Sequence, residues 1–153
     1  MKTIDEQKAA LGCLWYELQM FNETAHRLIL GLKQIDFNIT IESFCMHLRN
    51  LINFLEDKKD GRYIRCSDFN IKNIKVQLSK GVTEKTLNEW ANHLTWARVS
   101  GKKPNWPPDL IKSVASEINK HFSEFVNNLP DNLFPESRYN NTKEDFLELA
   151  KKL

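Results

Sequence analysis

Glycine and proline are scarce in this chain, five of each among 153 residues. A β-sandwich or barrel needs turn residues about every 8–12 positions, so an all-β fold lacks its punctuation and long regular elements are favoured. Cysteine is scarce as well. Cys13, Cys45 and Cys66 are odd in number and show no CxxC spacing, which argues against both a disulfide framework and a zinc knuckle. Reduced thiols in a cytoplasm fit best, and no metal or cofactor is expected. An excess of charge of either sign is missing too. With 22 Lys and Arg against 20 Asp and Glu, the net charge of +2 makes neither nucleic acid nor an anionic bilayer the default partner. No apolar run approaches the roughly 20 residues that span a bilayer. The polar, charged residues after Met1 show neither an apolar core nor a small-residue cleavage site, so secretory export has no support. The expectation is a soluble cytoplasmic protein that does not engage a membrane.

Hydrophobic residues make up 41% and charged residues 27%, which suits a globular chain of one domain over residues 1–153. A chain of this length buries about 70% of its unfolded surface, and halving it would leave two marginal cores. The apolar residues are arranged in stripes. Ile4, Leu11, Leu14, Leu18, Phe21, Ala25, Leu28 and Leu32 predict a long helix over 4–32, with Thr3 as its cap, Asp5 and Glu6 in its first turn and Gly31 near its end. Ile41, Phe44, Leu48, Leu51 and Leu55 predict a second over 40–57, after a joint at 34–38. Leu87, Trp90, Leu94 and Ala97 predict a third over 83–98, which GKKPNWPP ends. A fourth follows Pro107 or Pro108 and carries Ile111, Val114, Ile118, Phe122, Phe125 and Leu129. Thr142 with Asp145 imitates a capping box and opens a short fifth helix. The fold read from this pattern is all-α, an antiparallel four-helix bundle with a short fifth C-terminal helix. Between the second and third helices, the apolar residues at 71–78 fit a helix and a strand equally.

Polar residues of unusual placement concentrate on the second and third helices, where Glu42, His47, Arg49, Asn50, His93 and Arg98 form a candidate functional cluster. His47 and His93 project about 90–100° from their stripes, a boundary position that lets an imidazole bury its body and keep an edge wet. His47 and Arg49 point about 200° apart and cannot form one site on an isolated helix, whereas Glu42 and Arg49 share a face away from the stripe. Arg98 projects within about 40° of its inner face, so it must snorkel, meet the free carbonyls of its helix end, pair with an acid such as Glu17 or Glu42, or hold an anion. No His, Cys or carboxylate pair has convincing metal-ligand spacing, and neither a nucleophile elbow nor a phosphate loop is present. Lys58 to Lys80 holds seven cations against two acids around Tyr63 and Phe69, a weak RNA or anionic-ligand signal. Trp106 near Lys102 and Lys103 offers either a stacking platform or a plug for the end of the bundle.

The segments ESFCMHLRNLINFL (42–55) and HLTWAR (93–98) resemble a group of short bacterial helical proteins of uncharacterised function. At greater distance the long-helix layout is similar to HEPN domains, helical bundles of toxin and antiphage systems, many of which cut RNA. Their signature is an arginine followed four to six residues later by a histidine on one helix. Here Arg49 with Asn50 matches only its first part, and His93 with Arg98 reverses the order. What the resemblance implies is therefore a noncatalytic or rewired bundle. The leading expectation is a noncatalytic binding or interaction module, with a homodimer formed through the long heptad stripe of the first helix. The competing expectation is a HEPN-like, metal-independent ribonuclease in which His47, His93 and Arg98 converge.

Overall fold

The first helix of the chain, α1 (Ile4–Leu30), starts where Thr3 and Glu6 close a reciprocal capping box. The Thr3 hydroxyl accepts from the Glu6 amide at 3.2 Å, and the Glu6 carboxylate accepts from the Thr3 amide at 2.8 Å. Two orphan amides are thereby satisfied at once. The helix stops two residues before the apolar stripe does, because Gly31 takes φ 85°, a conformation a helix cannot continue through and side-chain-bearing residues avoid. These details come from a computed structural model that describes residues 2–58, 61–78, 82–83, 87, 106–135 and 141–152.

α2 (Gln34–Leu55) begins six residues earlier than its apolar pattern predicts, so the expected joint at 34–38 is helical and only residues 31–33 reverse the chain. The reason is that Ile35, Asn38 and Ile39 face away from the core and add nothing to its stripe. α3 (Pro108–Asn127) has Pro107 as its cap and Pro108 at its first position, where a missing N–H is harmless. α4 (Lys143–Leu149) starts at a capping box between Thr142 and Asp145, in the place predicted for the short C-terminal helix. Single 3₁₀ turns cover Cys66–Phe69 and Asp131–Leu133. Of the helix predicted over 83–98, only Thr83 and Leu87 are described. Leu87 is helical and buried, with its amide donating to the Thr83 carbonyl at 2.9 Å.

The ambiguous residues 71–78 adopt neither regular form. They run across the end of α2, where the Ile74 amide donates to the Leu55 carbonyl at 2.7 Å and the Val76 amide to Glu56 Oε1 at 2.8 Å. A helix C-terminus has free carbonyls, and this strap uses one of them instead of a strand partner. The described residues contain no strand, and no described helix is long and apolar enough to cross a membrane.

α1 packs against α2, α3 and α4 around rings from every helix. Phe21 stacks on Phe44 with centroids 5.1 Å apart, and Phe54 meets Phe125 edge-on at 4.8 Å. Trp106 is buried nearly perpendicular to Phe44, with centroids 5.8 Å apart, so it is no open stacking platform. One polar chain threads the apolar centre. Asn119 Nδ2 donates to Asn22 Oδ1 at 2.9 Å, and Asn22 Nδ2 donates to the Leu149 carbonyl at 3.0 Å. These bonds tie α1 to α3 and α4 in one register, since sliding any partner would strand buried amides.

Burial also decides the fate of the α1 heptad stripe. Leu11, Leu14, Leu18, Phe21, Ala25 and Leu28 are all buried in the core, so these residues are not exposed to form the seam that the sequence offers to a second copy.

Candidate interaction site on the α1 and α2 hairpin

A polar cluster joins the first two helices. Antiparallel neighbours bring residues of nearly constant summed number together, and Glu17 on α1 thus meets His47 and Asn50 on α2. His47 Nδ1 donates to Glu17 Oε2 at 2.7 Å, and Asn50 Nδ2 donates to the same oxygen at 3.2 Å. A proton on Nδ1 leaves Nε2 as the acceptor of the neutral ring. Tyr16 closes over the imidazole edge-on, with centroids 5.9 Å apart.

His47 is 3% exposed, which corrects the wet boundary position expected for it. Position around one helix measures the angle to that helix's own stripe, and the second wall here is supplied by α1. Asn50 remains exposed and Arg49 half-buried, whereas Glu42 is exposed two turns away along the same side of α2 as Arg49. His93 and Arg98 lie outside the described residues.

Arg49 and Asn50 share a groove with Glu17, Asn53, Tyr63 and Ile64, floored by Leu14 and Phe54. His47 does not line it. Asn53 lies on the wall between this groove and a second one that Val76, Val82 and Leu87 help to line, and its Oδ1 is buried without a hydrogen-bond partner. Glu17, Asn53 and Tyr63 therefore complete what the candidate cluster only began. Their signal is weak in sequence, because each reaches the groove from a different turn or a different segment.

The one described imidazole of the candidate cluster is held by a carboxylate and screened from solvent, while the groove presents amides, a guanidinium and a phenol ring. His121, half-buried on α3, pairs with Glu117 at 2.9 Å one turn away. No group of three His, Cys, Asp or Glu among the described residues is placed to hold a metal ion. All three cysteines are free thiols. Burial pushes the Cys45 and Cys66 thiols up to about 12, so neither is a nucleophile at neutral pH.

Large apolar side chains are exposed nearby: Leu30, Ile35 and Ile39 on the hairpin are 72%, 71% and 65% exposed, Tyr16 and Met46 are exposed as well, and Tyr63 and Ile64 stand at the groove itself. Compared with known proteins, the chain matches no family model, no curated protein and no solved structure.

Proposed function

We propose that this chain is a noncatalytic interaction module, built as an antiparallel four-helix bundle of HEPN-like layout and acting through the outer face of α1 and α2. The observation that carries this reading is the exposed apolar row Ile35, Ile39 and Met46 on one side of α2, which continues along the helix into Arg49 and Asn53 of the polar groove, since large apolar side chains gathered on one face mark an interaction surface. The bundle is supported by chain direction. Phe44 meets Trp106 and Phe54 meets Phe122 and Phe125, so α2 and α3 run parallel. The chain between them must therefore come back from the level of Phe54 to that of Phe44, a return that the helix read from the sequence over 83–98 would supply; of that helix only Thr83 and Leu87 are described.

A photo-reactive benzophenone residue in place of Ile39, compared with one in place of exposed Lys112 on α3, tests the reading in the native cell. Crosslinks to a protein at position 39 and none at position 112 are expected. No crosslink at position 39 defeats it.

The Glu17–His47 pair favours one second reading, the metal-independent ribonuclease, because a carboxylate-oriented imidazole is the usual form of a general base. RNA cleavage that survives His47→Ala with His93→Ala eliminates that role.

A further inference from the structure

α2 carries two heptad stripes. Ile35, Ile39, Glu42, Met46, Arg49 and Asn53 succeed one another at spacings of four and three, as the core residues Phe44, Leu48, Leu51 and Leu55 do. At about 100° per residue, the first set falls within an arc of about 80° directly opposite the second. Its apolar members are exposed, and its two halves differ in kind. The N-terminal half offers projecting isoleucines, and the C-terminal half borders the groove floored by Leu14 and Phe54 and rimmed by Tyr63 and Ile64.

We infer that the occupant of this face is a second copy of the chain, docked antiparallel about a two-fold axis near residue 44 of α2. This rests on the interaction-module reading above and names its partner. In that register a and d positions oppose each other as in antiparallel coiled coils, so Ile35 faces the partner's Asn53, Ile39 faces the partner's Arg49, and Met46 faces the partner's Glu42. The isoleucines of each copy then fill the groove of the other, twice by symmetry. Glu42 lies about 4.5 Å along the axis from the partner's Arg49, within reach of a guanidinium, and the pair also forms twice. Both residues also interact within their own chain, and the two-fold contact adds to those interactions. A parallel dimer is disfavoured because it sets Glu42 on the partner's Glu42 and Arg49 on the partner's Arg49, and leaves both grooves empty.

The test separates the partner from the surface. Crosslinking from position 39 of the purified protein should yield a band at twice the 18.0 kDa of one chain. A position-39 crosslink in cells to a protein of another mass, with the purified chain remaining monomeric across a concentration series, preserves the interaction surface and overturns the self-association. Glu42→Arg and Arg49→Glu should each weaken dimerisation about tenfold or more by sedimentation equilibrium, because each places like charges together. Mixing the two variants should restore a dimer, since one then supplies two cations and the other two anions. A mixture that stays monomeric while both variants keep the helical circular dichroism of the parent overturns this register.

Discussion

The two faces of α2 have the same spacing and opposite fates. Phe44, Leu48, Leu51 and Leu55 are wholly enclosed, whereas Ile35, Ile39 and Met46 stand in solvent on the other side of the same helix. A heptad row records that something apolar is to be covered and leaves open what covers it. For the inner row the cover is α1 and α3, reached through the three-residue turn at 31–33 and the long return of the chain. For the outer row no described element of the chain provides it.

Substitutions along the two rows should separate them by energy. Phe44→Ala removes a ring held between Phe21 and Trp106 and should destabilise the fold by about 3–5 kcal/mol in urea unfolding. A loss below about 1 kcal/mol would mean that the inner face is no core. Asn119→Ala leaves buried Asn22 Oδ1 without its donor and should cost about 1–3 kcal/mol. Thr3→Ala opens the capping box at the exposed start of α1, with an expected loss of about 1 kcal/mol. Ile39→Ser on the outer face should change monomer stability by no more than about 0.5 kcal/mol, measured at dilutions where copies do not meet.

Thiol chemistry sharpens the same contrast between covered and open surface. Cys45 is buried on α2 and Cys13 is exposed on α1, so native protein should take up iodoacetamide at Cys13 alone, and at all three cysteines only after unfolding. Because the folded-state values of Cys45 and Cys66 are raised from 9.0 to about 12, the unfolded chain loses these protons first. Their contribution to stability is complete below pH 9.0 and declines as pH rises toward about 12. Cys45→Ala should flatten that alkaline decline, read from urea midpoints across the range. An unchanged slope would show that this thiol is not shielded in solution.

Much of the fold was legible because local chemistry wrote it twice. Thr3 with Glu6 and Thr142 with Asp145 mark helix starts by side chains that reach amides within three residues, and Gly31 marks an end by a backbone angle only glycine adopts freely. The start of α2 was illegible for the converse reason. Its first turn lacks a side-chain cap and its isoleucines face outward, so neither a terminus signal nor the core stripe reports it. Residues 71–78 were ambiguous because their backbone is satisfied by α2 itself, a partner that periodicity cannot reveal.

The candidate site divides along the same line. Composition and spacing were enough to determine an all-helical chain and to single out Glu42, His47, Arg49 and Asn50 on one helix. Angles around that helix set His47 apart from Arg49 and put Arg49 on the side of Glu42. Only the tertiary structure decided that His47 is enclosed by Glu17 and Tyr16, that Arg49 and Asn50 share a groove with Asn53 and Tyr63, and that the apolar row of α1 is internal while an apolar row of α2 faces outward. The physical reason is range. Capping and periodicity act within a few residues, whereas burial depends on segments some 30 positions apart, as Glu17 and His47 are, and on which of several apolar faces each helix turns toward the others.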